Sequence, residues 1–270
     1  MKATVLVDNI ANDGLTPEWG LSIYIEYEDK KVLLDTGGSD KFLQNAKALG
    51  IELAGVDFGV LSHAHYDHAN GMRPFFEVNK KASFYLREGS GENCYHRRKI
   101  FKVYIGIKKG TLKKYADRIA YAAGDFVLSE GITLVPHKTA GLEAVGQRNH
   151  MYTKQRGKWA LDDFAHEQSL VFDTPKGLVI FNSCSHGGAD VIIKEVAETF
   201  PDKQIYALIG GFHLHRMPEA DVRALADRIK ETGIEKIYTG HCTGQRAFDI
   251  LKEELGDKAE QLKTGLVMEF

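Results

Sequence analysis

Four groups able to ligate a metal stand within six residues in the segment Ser62-His63-Ala64-His65-Tyr66-Asp67-His68. In extended backbone the side chains alternate with period 2, so His63 and His65 point the same way and both imidazoles can reach one ion. Asp67 and His68 then fall where the chain turns, within reach of a second ion. Imidazole nitrogen with carboxylate oxygen suits zinc first, and also iron or manganese, better than magnesium or calcium. A lone histidine is more often a satisfied core or surface group, but few structural reasons would put four such residues side by side. An ion with an open position lowers the pKa of bound water from about 15.7 toward roughly 7, which predicts hydrolysis by a metal-activated water.

The elements that must position this cluster can be read from patterning. Residues 21–27 alternate apolar and polar positions, Glu28-Asp29-Lys30 offers a turn, and residues 31–35 make a second strand, a hairpin ending at Asp35. Ser39 can cap a helix carrying Phe42, Leu43, Ala46 and Leu49 at helical spacing, and Gly50 can stop it. Residues 56–61 are a short strand leading into the histidines. A second hairpin is expected at 169–182, turning at Thr174-Pro175-Lys176-Gly177. After it come a helix at 189–199, a strand at 204–209, a helix at 218–232, a strand at 234–239 and a helix at 245–255. Pro218 near a helix start and Gly233 just past its end fit the usual asymmetry. Hairpins mixed with amphipathic helices predict an α/β fold, a four-layer αββα sandwich of two β-sheets with helices on both outer faces, as a single domain over 1–270.

The remaining composition narrows the partners. A chain of 270 residues with 43% hydrophobic and 27% charged content is neither disordered nor fibrous. A net charge of -2 gives no global pull toward nucleic acid or an anionic membrane. No apolar run approaches the roughly 18 residues of a membrane span, and MKATVLVDNI lacks the features of a secretory signal, so a cytoplasmic location is expected. Cys94, Cys184 and Cys242, odd in number and scattered, read as reduced thiols.

Charge is segregated. Residues 87–118 hold ten Lys or Arg against three acidic residues, inside a segment at about 86–125 expected to be an insertion. It is either a solvated basic helix or an anion-attracting flap, in which case Arg97, Arg98 and Lys99 are substrate-binding and the substrate is a small anionic, phosphorylated molecule. His213 and His215 have the period-2 spacing that would put both on one face, whereas His96, His137 and His150 lack a partner at ligand spacing and read as structural or surface residues.

The run HAHYDH resembles the His-X-His-X-Asp-His motif of the metallo-β-lactamase superfamily. That resemblance implies a metal-dependent hydrolase holding one or two ions. It makes Asp35 in LLDTGG a residue that supports the metal loop through hydrogen bonds without binding metal. It makes His241 in GHCTG the late histidine ligand, and it points to His213 as a group that binds metal, protonates a leaving group or orients substrate, with Asp67 as a second candidate for helping the leaving group depart. Where the superfamily has an aspartate between two metals, this strand ends FNSCSH, so Cys184 takes that position and can bridge, bind or simply fill space. His186, at the strand end beside two glycines, is favoured as the third histidine of the first metal over His166 in DFAHEQS. The segments VLVDN at 5–9, SCSHGG at 183–188, GGFHL at 210–214 and GHCTG at 240–244 resemble a branch that includes a dihydropterin ribofuranosyl-aminobenzene phosphate synthase. Two alternatives to hydrolysis follow: a transferase joining a dihydropterin to a ribofuranosyl-aminobenzene phosphate, and a non-catalytic metal-binding sensor.

Overall fold

Alternate residues of the strands enter different cores. In the computed structural model, which describes residues 1–270, Ile23, Ile25, Val32 and Leu34 point into one buried cluster while Tyr24 and Leu33 point into another. Val179 and Phe181 share the first of these clusters, whereas Leu178 and Ile180 belong to a third. A sheet buried on both faces must be covered twice, and this parity makes four layers.

The first sheet has seven strands, in the order Val267–Glu269, Lys2–Val7, Ser22–Tyr27, Lys30–Leu34, Phe58–Val60, Ser83–Arg87, Ile119–Ala122. The second has the order Ala259–Gln261, Lys236–Thr239, Ile205–Gly210, Gly177–Phe181, Gln168–Thr174, Ile132–Pro136, Phe126–Ser129. The two sheets face each other across the cluster containing Val5, Ile25, Phe172 and Phe181. Phe42, Phe75 and Phe76 from the helices Lys41–Ala48 and Met72–Val78 cover the outside of the first sheet. The helices Ala189–Thr199, Glu219–Glu231 and Gln245–Leu255 cover the second through Ile192, Leu225 and Leu251.

In each sheet an antiparallel hairpin is followed by strands that run parallel to it. Lys30–Leu34 pairs in parallel with Phe58–Val60, and Gly177–Phe181 with Ile205–Gly210, which pairs in parallel with Lys236–Thr239. The C-terminal ends of these strands gather at one edge of the sandwich, the place where open α/β sheets offer loops for chemistry. Gly50 follows the first helix at φ 70, and the backbone N–H of Ile51 reaches back to Ala46 O at 2.8 Å. Asp40 occupies the N-cap position of that helix; Ser39, one residue earlier, is turned to Glu18.

The basic segment is mostly strand and loop, with helix confined to Thr111–Lys114 and a 3-10 turn at Ala116–Arg118. Cys94–Arg98 and Phe101–Tyr104 form a hairpin that pairs with Met151–Gln155, which pairs in turn with Lys158–Leu161. This third, four-stranded sheet stands over the loop edge of the sandwich, and its second half comes from residues outside 86–125. The strands Ser83–Arg87 and Ile119–Ala122, at the two ends of the basic segment, belong to the first sheet. No helix is long and apolar enough to cross a membrane.

Candidate metal centre

Asp35 fixes the loop that follows Phe58–Val60. Its Oδ1 accepts the Ser62 backbone N–H at 2.7 Å, and its Oδ2 accepts the Ser62 hydroxyl at 2.6 Å and lies 2.8 Å from His68 Nδ1. His65 is still extended at φ -91, ψ 152, and the short helix Tyr66–Ala69 then turns Asp67 and His68 to the far side of His63. Four non-glycine residues at the site, Asp35, Ser185, His213 and His241, hold positive φ between 45 and 56°. Such strain at strand-to-loop corners is tolerated where surrounding contacts overdetermine the backbone.

Three imidazoles converge first. His63, His65 and His186 each bring one donor atom within 4.8 Å of the others. The Nε2 atoms of all three are buried without any hydrogen-bond partner. Their other sides are engaged where it matters for orientation: His63 Nδ1 is 2.9 Å from Ser62 Oγ, and His186 Nδ1 pairs with Glu167. Three orphaned buried nitrogens aimed at one point are costly unless something occupies it, and an ion accepting their lone pairs fits.

A second group adjoins it. His68 Nε2 and His241 Nε2 are 3.2 Å apart, and Asp67 Oδ2 lies 3.5 Å from His241 Nε2 and 3.9 Å from His68 Nε2. Cys184 Sγ is 3.4 Å from His68 Nε2 and clusters both with His63 and His68 and with His241 and Cys242. The thiol therefore sits between the two groups. His166 does not join the first group in the same way: its Nδ1 accepts the Ala64 backbone N–H at 3.2 Å and its Nε2 faces Asp162 Oδ2 at 3.3 Å, so both nitrogens are occupied.

Electrostatics favour neutral ring nitrogens at three of the histidines. Burial, reinforced by the neighbouring imidazoles, holds His63, His65 and His241 well below the ordinary histidine range, which is the protonation state that ligates metal. For His68 burial pulls the same way, but the Asp35 and Asp67 carboxylates outweigh it and raise it to about 9. The thiols diverge: burial pushes Cys184 well up, while at Cys242 the hydrogen bonds with Cys184 and His213 overcome burial and bring it down to about 6.

Above the two groups opens a cavity of about 1570 Å³. His65, Asp67, Cys184, His186, His213 and His241 line its floor, and Arg97, Arg98 and Lys99 of the third sheet line its roof, joined by Arg148 and Arg216. His213 lies on the loop after Ile205–Gly210, with its backbone N–H on Cys242 Sγ at 3.2 Å and its Nδ1 unpartnered. His215 is exposed and contacts Cys242 O instead.

The chain matches the family model described as the metallo-beta-lactamase superfamily over residues 15–241. It belongs to that superfamily. A relative from Methanocaldococcus jannaschii, 7,8-dihydropterin-6-methyl-4-(beta-D-ribofuranosyl)-aminobenzene-5'-phosphate synthase, is 31% identical over 94% of this chain and 92% of its own length. The crystal structure of Tm1679, a metal-dependent hydrolase of the beta-lactamase superfamily, superposes with a TM-score of 0.86 at 30% identity, covering 100% of this chain and 99% of that one. Zinc-bound PqqB from Methylobacterium extorquens, at 12% identity and a TM-score of 0.60 over 100% of both chains, shares the fold.

These findings correct one expectation. Hydrolysis by a metal-activated water is overturned as the leading reading by the synthase, a transferase-type enzyme aligned with nearly the whole chain. The physical reason is that ligand spacing specifies an ion and an open position; it does not specify whether water or another substrate attacks. Enzymatic character and the superfamily fold stand.

Several site residues carried no signal in the ligand pattern. Asn9 donates from Nδ2 to His241 O at 2.9 Å and its Oδ1 lies 3.1 Å from His241 Nδ1, while Asp8 Oδ2 accepts the His241 backbone N–H at 3.0 Å. Trp19 stands with its ring centroid 5.2 Å from that of His241. An Asp-Asn pair directly after the first strand was the available clue for two of them. Trp19, in a loop, offered none.

Proposed function

We propose that this chain is a metal-dependent synthase of transferase type that joins a dihydropterin to a ribofuranosyl-aminobenzene phosphate. The observation that carries the reading is the 31% identity with the synthase across 94% of the chain. The cavity supports it. About 1570 Å³ exceeds the roughly 300–1,000 Å³ of an ordinary small-molecule pocket and leaves room for two substrates.

In this reading His63, His65 and His186 would hold one divalent ion and Asp67, His68 and His241 a second, with the Cys184 thiol adjoining both sets of residues. Imidazole, carboxylate and thiolate donors together suit zinc, with iron or manganese as the alternatives. A bound ion supplies Lewis acidity that stabilises charge on a departing phosphoryl oxygen. Asp35 keeps the His68 ring turned into the centre. Arg97, Arg98 and Lys99 draw the phosphorylated substrate in and hold its anionic end against the roof, joined by Arg216. Trp19, 46% exposed at the cavity, gives a planar ring a face to stack on. His213, which lines the cavity, gives or takes a proton at the reacting substrate, and Asp67 assists departure of the leaving group.

The test is product analysis. Metal-loaded protein is incubated with a dihydropterin diphosphate and the ribofuranosyl-aminobenzene phosphate, and mass spectrometry follows the coupled product with diphosphate release. Formation of both in equal amounts is expected. Absence of coupled product at full metal content would overturn the reading.

A further inference from the structure

Behind His186, away from the cavity, runs a chain of buried polar groups that the reaction does not use. Glu167 pairs through Oε2 with His186 Nδ1, and its Oε1 accepts the His186 backbone N–H at 3.1 Å. The same Oε1 lies 2.8 Å from His137 Nε2, and His137 Nδ1 lies 3.0 Å from Glu195 Oε2. Glu195 is itself anchored: its Oε1 accepts the backbone N–H groups of Lys138 and Thr139, each at 2.8 Å, and the Thr139 hydroxyl at 2.7 Å. The side chains of Glu167 and His186 are fully buried, and those of His137 and Glu195 are each 7% exposed.

Two carboxylates at this depth are costly unless each is paired and fully hydrogen-bonded. One imidazole between them serves both. Burial alone would lower His137, but the flanking Glu167 and Glu195 carboxylates outweigh it and lift it to about 10. On its Gly187 side the ring is tightly packed. A Cβ added at Gly187, the residue after His186, would stand 2.7 Å from His137 Cε1, so the imidazole lies against the backbone beside His186.

We propose that His137 is a positioning residue of the metal centre: clamped by Glu195, it fixes the Glu167 carboxylate that keeps the His186 imidazole in one tautomer with Nε2 turned toward His63 and His65. The proposal rests on His186 being a ligand, as argued above. The physical need is general, because a ligating imidazole is oriented by what its other nitrogen donates to, and a carboxylate free to turn or to take up a proton does not hold that orientation. Glu167 is the immediate partner. His137 is what leaves it a single arrangement.

The experiment compares the parent with His137→Ala, His137→Gln and His186→Ala. Zinc affinity is read by chelator competition, the visible spectrum is recorded on cobalt-substituted protein, and thermal unfolding is followed without metal. His137→Ala should weaken zinc binding by about 10- to 100-fold and change the cobalt spectrum. His137→Gln, which can still donate one N–H to Glu167, should recover part of that loss. A lower metal-free melting temperature with zinc affinity within about twofold of the parent and an unaltered cobalt spectrum in both variants would overturn the proposal. If His137→Ala does not fold, the glutamine variant decides by the same readings. His186→Ala separates the two levels. If it binds zinc as the parent does, the ligand assignment falls; if it loses affinity while both His137 variants keep it, only the positioning role falls.

Discussion

In and beneath the floor of the cavity His63, His68, His186 and His241 are buried, and each has its Nδ1 on a neighbour: Ser62, Asp35, Glu167 and Asn9. At its roof Arg97, Arg98 and Lys99 are exposed, and the nearest partner of the three is His150 Nδ1, 3.3 Å from Arg97. The floor commits its groups to one geometry during folding, at the cost of desolvating them. The roof leaves its charges solvated, so they act at longer range and adapt to what arrives, but salt screens them. Substitutions should therefore act through geometry and occupancy below and through encounter above, with very different magnitudes.

The largest effects belong to the floor. His63→Ala or His241→Ala should abolish metal-dependent activity and lower metal stoichiometry while leaving a folded protein, because both side chains lie on loops at strand ends rather than in the three large apolar clusters. Metal analysis and circular dichroism check this. Full activity with unchanged metal content in either variant would erase the distinction between floor and roof.

Next comes the choice between His186 and His166. His186→Ala should lower metal occupancy more than His166→Ala, since the His186 Nε2 is free and both nitrogens of His166 are already hydrogen-bonded. The reverse order of occupancies would exchange their assignments. Asp35→Asn should follow at about 10- to 100-fold in metal affinity, because one oxygen cannot replace two that together serve Ser62 and His68. Parental affinity in the Asp35→Asn protein would show that the metal loop holds itself.

How much of this could be read beforehand differs between the same two regions. The floor was largely legible, because His-X-His spacing on an extended segment is local geometry and Asp35 ends a hairpin marked by its own turn. The layers were legible too, since strand parity at Val32-Leu33-Leu34 appears in the residues themselves. The roof was half hidden. Residues 94–104 carry their charge openly, but their pairing with 151–161 is a contact between distant segments that no local period encodes. His137 was hidden for the same reason. Its partners Glu167 and Glu195 lie 30 and 58 residues away, so its burial between two carboxylates has no signature at ligand spacing.

That buried pairing gives a pH prediction for the metal-free protein. His137 is raised from 6.5 to about 10 on folding. A group whose folded pKa is raised contributes stability that is fully present below its unfolded value and is lost as pH rises through the folded one. His137 should thus stabilise fully below about pH 6.5, and its contribution should decline through the alkaline range and vanish above about pH 10. Urea unfolding of metal-free protein at pH 7 and pH 10 should show the parent losing more stability than His137→Gln. Equal losses in the two proteins would mean that the imidazole is not the group responsible.

The smallest effect expected lies at the roof. Neutralising Arg97, Arg98 and Lys99 together removes exposed charge whose one side-chain partner is the His150 ring, so folding and metal content should be unchanged. What should change is encounter. Exposed charges are screened over about 8 Å at physiological ionic strength, so a substrate steered by the roof loses kcat/KM as salt rises. For the parent acting on a phosphorylated substrate we expect a falling salt profile, and for the triple variant a flatter one that starts a few-fold lower, which is what about 0.2–1 kcal/mol in total provides. A neutral analogue should give level profiles with both proteins, which separates steering from a general effect of salt on the metal centre. Parallel profiles in all four combinations would reduce the roof to a solvated surface, and the contrast between the two faces of the cavity would then be one of burial alone.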